Sequence, residues 1–257
     1  MRSFRTTKAR IIHICLLALA LCDTTNAFDL GDEVLRYNVT YKWGLINKNA
    51  GTAVMTVSHQ GDGYRAELCA RSDPWADRIY QVRDTLVSVM NDRLQPLLYE
   101  KLAHEDGKFS HDLIRYKYQG NTVEGYCTRF REKNGTTSTE HTELTATLPT
   151  ADMLSVYFFI RSMDFHAMKP GDVVSVNMFS GKRKELLYLT YTGTEEIRIG
   201  KHTYNCYGIS FRFTSNGKTK SSENMTGWIT TDASRIPVRI TGTLPVGKIH
   251  VLYAGGE

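Results

Sequence analysis

One apolar stretch, Thr150 to Phe165, stands alone in a chain that otherwise alternates like β-structure. Met153, Leu154, Val156, Tyr157, Phe158, Phe159, Ile160 and Met163 would cover nearly the whole circumference of a helix. A helix that is apolar all round belongs inside something. Thr150 follows Pro149 and can cap the first turn through its hydroxyl, and Asp152 lies where the helix dipole favours negative charge. At about 1.5 Å per residue the helix would be roughly 20 Å long, the width of a curved sheet. A buried strand is the competing reading, because Val156 to Ile160 has high β-propensity. The capping residues and the polar Ser155, Arg161 and Ser162 favour the helix. The expected fold is mainly β: a large curved antiparallel sheet, an unclosed β-barrel, wrapped over one or a few helices.

The flanks carry the sheet. Leu35, Tyr37, Val39, Tyr41 and Trp43 alternate strictly with polar residues, which predicts a half-buried strand with an aromatic face. Asn47 to Gly51 and Gln60 to Gly63 make short turns into two further strands, the pattern of an antiparallel meander. Residues 72–76 break that pattern, and strands are expected at 79–90, 97–103, 109–118 and 123–130. Residues 132–150, rich in Thr, Ser and Glu, read as an exposed loop or a polar strand pair. Beyond the helix, strands are expected at 173–179, 186–192, 204–213, 228–230, 236–240 and 249–253, with a short run at 197–200 and a polar tip at 215–223. Pro237 makes its strand an edge or an irregular one. No repeat or linker divides residues 28–257, which read as one domain.

Residues 1–27 read as a secretory signal peptide. Arg2, Arg5, Lys8 and Arg10 precede an apolar run from Ile11 to Cys22, and Ala27 stands at the expected cleavage point. The run is too short to span a membrane, which takes about 20 apolar residues. Leu21 is bulky where a lipoprotein signal needs a small residue, so the expected product is soluble and periplasmic or otherwise exported. Removing residues 1–27 of 257 takes four basic residues and Asp23 away, and the formal charge falls from +5 to +2. No basic patch then argues for nucleic acid or for an anionic membrane surface. Cys69, Cys127 and Cys206 remain, an odd number at spacings that match no zinc or redox motif.

The residues that could carry chemistry are few. There is no nucleophile elbow, no His-Glu-x-x-His and no phosphate-binding glycine loop, so no catalytic residue, metal or cofactor is assigned. His104-Glu105-Asp106 and His111-Asp112 can meet across a Gly107 hairpin, where solvated turn residues are the plainer reading. Asp84 lies inside an apolar strand and needs a partner; a buried structural ion pair with Arg161 is expected. Tyr41, Trp43, Tyr157, Phe158, Phe159 and Trp228 are the candidate lining of an apolar cavity between sheet and helix, with ordinary core as the alternative.

The run Gly31-Asp-Glu-Val-Leu-Arg-Tyr-Asn-Val-Thr-Tyr-Lys-Trp-Gly-Leu-Ile resembles the opening of a bacterial family, domain of unknown function 3108. The resemblance continues through Ile79-Tyr-Gln-Val-Arg-Asp-Thr-Leu, Asp152-Met-Leu-Ser-Val-Tyr-Phe-Phe-Ile-Arg, Lys169-Pro-Gly-Asp, Trp228-Ile-Thr-Thr-Asp and Arg235-Ile-Pro-Val. It implies an exported envelope protein of Gram-negative type and brings no activity with it. The family is similar in architecture to periplasmic lipoprotein carriers, whose unclosed barrel shelters acyl chains. The expected function is non-enzymatic binding of a lipid or acyl chain, with an envelope protein as a further partner. The alternatives are an interaction module with a filled core and a hydrolase of envelope glycans or lipids.

Overall fold

The computed structural model describes residues 28, 30–215, 218–219, 225–243 and 247–256. The leader expected at residues 1–27 lies outside them, as do residues 216–217 and 220–223 of the polar tip. Eight strands follow one another as a meander: β1 (Glu33–Trp43), β2 (Ile46–Gln60), β3 (Gly63–Ser72), β4 (Val82–Met90), β5 (Pro96–Glu105), β6 (Lys108–Gln119), β7 (Thr122–Lys133) and β8 (Thr136–Thr147). After β9 (Thr150–Asp152) comes the one α-helix among the described residues, α1 (Ser155–Arg161). β10 (Val173–Ser180), β11 (Arg183–Ile199), β12 (His202–Ser215), β13 (Lys218–Thr219), β14 (Met225–Thr230), β15 (Pro237–Thr243) and β16 (Lys248–Gly256) complete the sheet. β16 returns to pair with β1, so the order is β8 back to β1, then β16, β15, β14, β12, β11, β10 and β9. β13 pairs only with β12, and the β9–β10 pair is the one parallel contact among the described strands.

The result is a mostly antiparallel, nearly closed barrel. Side chains close it where no ladder does. Lys182 pairs with Glu140 at 2.5 Å, Lys184 Nζ donates to the Thr145 carbonyl at 2.9 Å, and Asn177 Nδ2 donates to the Thr147 carbonyl at 2.9 Å. These bonds engage two carbonyls at the end of β8, whose outer edge has no ladder partner among the described strands. Two glycines let the β10–β11 hairpin approach. A side chain at Gly125 would meet the Phe179 ring at 2.6 Å, and Gly181 turns at φ +57° against the Arg129 guanidinium.

The helix is shorter than the sequence implied. Residues 150–152 are captured by β10 as a buried strand, so helical structure begins only at Ser155. The Thr150 hydroxyl donates to the Thr147 carbonyl at 2.7 Å and caps nothing. Asp152 performs that task instead: its Oδ1 accepts the backbone N–H groups of Leu154 at 2.7 Å and Ser155 at 2.6 Å, and its Oδ2 accepts the Ser88 hydroxyl at 2.7 Å. A helix of seven residues is unstable alone and persists through packing. Leu154 and Phe158 fill the core beneath β1–β8, and Ile160 with Met163 and Phe165 fills a second core under β10–β12 and β14.

Other local expectations also change. Of the two readings of residues 132–150, the polar strand is the one formed over residues 136–147, because pairing with β7 satisfies a backbone whose side chains are mostly solvated. Residues 186–192 and 197–200 belong largely to one strand, β11, with an irregularity opposite Tyr191 and Gly193. Ile79 and Tyr80 precede β4, after a 3₁₀ turn at Ala76–Arg78. Pro237 opens β15 beside a register shift, irregular but not at an edge. Arg161 does not meet Asp84. It is 1% exposed, pairs with Glu33, and donates to the Ser234 carbonyl at 2.8 Å. The two residues lie toward opposite ends of the barrel, because Glu33 begins β1 and Asp84 pairs in register with Ala103 near the end of β5. The three cysteines are free thiols: Cys69 is exposed, and Cys127 and Cys206 are buried.

Burial pushes the Asp152 carboxyl up from 3.8 to about 6, against its hydrogen bonds to Ser155, Ser88 and Leu154. Between these values the folded protein holds a proton that the unfolded chain has released, so stability falls as pH rises from about 4 to about 6, by roughly 2–3 kcal/mol. Asp152→Asn keeps the capping oxygen and removes the titration. Urea unfolding across that window should show the slope reduced in the variant; an unchanged slope would assign it to other groups.

Candidate functional site

Strand alternation decides which side chains enter the barrel. Leu35 and Tyr37 of β1 lie in the core, so Val39, Tyr41 and Trp43 continue on the same inner face. By the same alternation Asp84, Lys101, Asp112 and Arg129 continue the inner face that carries Ser88, Tyr99, Ile114 and Cys127. The helix fills one end of this lumen. The other end is open, and two cavities occupy it side by side.

The apolar cavity measures about 800 Å³ and is lined by Val39, Tyr41, Trp43, Gly51, Ala70, Trp75, Ile79, Tyr80, Val82 and Ile249 among others. Trp43 is 55% exposed and Ile79 72%, unusual for large apolar groups, and the fully exposed Leu45 follows in the β1–β2 turn. Residues 73–81 form one wall and are pinned to β2. The Asp73 N–H donates to the Ala50 carbonyl at 2.8 Å, and Trp75 Nε1 donates to the Asn49 carbonyl at 2.7 Å. Arg83, which strand alternation turns away from its neighbour Asp84, braces this wall through Asp77 at 2.7 Å.

The second cavity, about 750 Å³, is polar and lies under β5–β7 against the β10–β11 turn. Tyr80 lines both. Lys101 Nζ bridges Asp84 Oδ2 and Glu105 Oε1, each at 3.1 Å, and the Tyr80 hydroxyl donates to Glu105 Oε2 at 2.8 Å. Arg129 grips Asp112 with two bonds of 2.5 Å. Burial raises the Asp84 carboxyl, with Lys101 opposing. Burial also pushes Glu105 up, but the Tyr80 hydroxyl and the Lys101 ammonium hold it below its usual range. Arg131, Lys108 and Lys133 add cations toward the rim.

The structure divides the sequence candidates. Tyr41 and Trp43 line the apolar cavity. Tyr157 and Phe158 do not: they pack in the core at the closed end, where the Tyr157 and Tyr37 hydroxyls meet at 2.8 Å. Phe159 borders a separate recess of about 300 Å³ beside Leu94 and Pro149. Trp228 packs near Ile197, Cys206 and Val238, and its Nε1 donates to Glu195. The expected space between sheet and helix is therefore filled, because Leu154 and Phe158 occupy it. Asp84 forms a half-buried ion pair, with Lys101 and not Arg161 as its partner. The Gly107 hairpin exists, yet its two sides separate. Glu105 and Asp112 face the polar cavity, while His111 binds Glu100 at 2.7 Å and His104 packs on Phe109. Ile79, Tyr80 and Lys101 escaped sequence reasoning: the first two read as strand, and only the register shows Lys101 facing inward.

Lys101→Met should leave Asp84 and Glu105 without their shared cation. Partial exposure of Glu105 moderates the loss to about 2 kcal/mol near neutral pH. The added variant Asp84→Asn should recover part of it. Chemical denaturation of the single and double variants checks the coupling, which is disproved if the two effects simply add.

Comparison with known proteins agrees with the architecture. No curated protein matches the chain. The crystal structure of a β-barrel-like protein of domain of unknown function DUF1849 from Brucella abortus is similar, with a TM-score of 0.60. The match covers 90% of this chain and 99% of that chain at 9% identity, a likeness of fold alone. The model of the family described as protein of unknown function (DUF3108) matches residues 36–252, and the chain belongs to that family.

Proposed function

We propose that the protein is a non-enzymatic binder of a hydrophobic chain, a lipid or an acyl group, which enters the open end of the barrel. The observation that carries this reading is the apolar cavity of about 800 Å³ with Trp43 and Ile79 exposed at its mouth. Ligand cavities commonly measure about 300–1,000 Å³ and combine apolar walls with a few polar groups. The adjoining charged cavity gives the polar end of an amphipathic ligand a place to stay hydrated. Affinity would come from apolar area removed from water, at about 25 cal/mol per Å². The leader read at residues 1–27 supports export to the periplasm, where an envelope protein would deliver or receive the ligand.

Hydrolysis is the weaker reading. A general acid and base need freedom to exchange protons, whereas Asp84 and Glu105 share Lys101, and Asp112 is held by Arg129. An interaction module has the filled helix end and the exposed Trp43, Leu45 and Ile79 in its favour, but does not call for the apolar cavity behind them.

Native mass spectrometry of the protein from its own envelope, followed by lipid extraction, tests the proposal. A stoichiometric lipid supports it. Trp43→Ala and Ile79→Ser should each weaken uptake of a fluorescent fatty acid about five- to tenfold, from roughly 1 kcal/mol of lost contact. Phe159→Ala, outside the cavity, should leave uptake unchanged. A ligand-free mass together with no fatty-acid uptake would sink the binder reading.

A further inference from the structure

The outer face of the same strands holds a different site. Thr40 and Lys42 alternate with Tyr41 and Trp43, and His250 and Leu252 alternate with Ile249 and Val251. Behind the apolar cavity they border a recess of about 340 Å³, completed by Asn47, Arg239 and the end of β11 with Arg198. Three permanent cations and a histidine line it, and among the described residues no carboxylate does. Gathering like charges without a counter-charge is unfavourable, and a bound anion relieves it.

The donors are arranged to be used. The Arg239 guanidinium lies over the Trp228 ring at 5.0 Å, and Trp228 is itself held by Glu195 at 2.5 Å. The Nε of Arg239 is buried and has no hydrogen-bond partner among the described residues. An unpaired buried donor is costly, and with Nε shut off from solvent it is the rest of the guanidinium that can face the recess. The Thr241 hydroxyl lies 3.0 Å from His250 Nδ1; donating there, it leaves Nε2 to carry the ring proton. Burial, with Arg239, Lys42 and Lys248 nearby, holds His250 below its usual range, so the ring is a neutral donor.

We propose that this recess binds a phosphate group, either free or as the phosphate ester of a lipid headgroup. Two guanidinium groups and an ammonium match the charge of a phosphate oxyanion, and the volume leaves room for an ester substituent. The site is independent of the hydrophobic cavity on the inner face.

The His250 ring resonances, followed by NMR near pH 7 at constant ionic strength, provide the test. Inorganic phosphate and a short-chain phosphatidylglycerol are titrated separately, with sodium chloride as the balancing salt. A saturable shift with phosphate assigns the free ion, and saturation with the lipid alone assigns the headgroup. Arg239→Gln and Arg198→Gln should each weaken the saturating probe about tenfold. Trp43→Ala should leave the shift unchanged. Arg198 and Lys42 are exposed, so Arg198→Gln and Lys42→Gln keep the test valid if Arg239→Gln fails to fold. No saturable shift with either probe, or saturation that survives the arginine substitutions, overturns the proposal.

Discussion

The barrel depends on how one seven-residue helix is held by charge at both ends. Asp152 receives the free N–H groups of its first turn, and Arg161 closes its last turn against Glu33 and the Ser234 carbonyl. Negative at the start and positive at the end is the arrangement the helix dipole favours. Each charge also crosses the structure: Asp152 reaches Ser88 on β4, and Arg161 reaches the first residue of β1. Arg161 is buried among Phe28, Tyr157 and Phe158, whose ring faces accept its guanidinium at 5.0–5.8 Å. Loss of either anchor would strand a polar group in the core and release the plug.

Once the plug is fixed at one end, the character of the other follows from strand period. Inner-face positions that meet the helix must be apolar and are: Tyr37, Met55, Met90 and Ile114. The same rows continue past the reach of the helix, where nothing packs on them. There they become Val39, Tyr41 and Trp43 on one side, and Lys101, Asp112 and Arg129 on the other. The chain thus builds an open lumen whose two halves differ in polarity. That division also explains why the carboxylates there are paired with cations: a buried carboxylate without a partner would destabilise the barrel.

Much of the sheet was legible because alternation is a local signal. The β1 pattern, the turn at Gly61 and the Gly107 hairpin each predict the strand pair that the chain forms, whereas the turn expected at Asn47–Gly51 lies at Gly44 and Leu45 and residues 47–51 already pair with β1 as part of β2. What sequence could not carry was long-range. Residues 150–152 join a strand because β10, some twenty-five residues later, supplies partners. Residues 136–147 pair with β7 although their composition is that of a loop. Arg161 took Glu33 rather than Asp84, a choice set by which end of the barrel each occupies. Of the aromatic candidates, Tyr41 and Trp43 share a strand and line a cavity, but one at the open end and not the expected space between sheet and helix. The helix aromatics and Trp228 belonged to other surfaces, since aromatic character alone does not distinguish a wall from a core.

The basic recess shows the same limit from the opposite side. Lys42, Arg198, Arg239 and His250 are scattered over some two hundred residues, so no sequence window contains a basic patch. Pairing of β16 with β1 and β15, with the end of β11 reaching the same recess, brings the four together. The pleat then separates this recess from the apolar cavity. Tyr41 and Ile249 point inward while Lys42 and His250 point outward from the same two strands. A substitution on one face alters the chemistry of that face and leaves the backbone ladder between them intact. Two neighbouring sites of opposite character can therefore coexist on β1 and β16 and be perturbed separately.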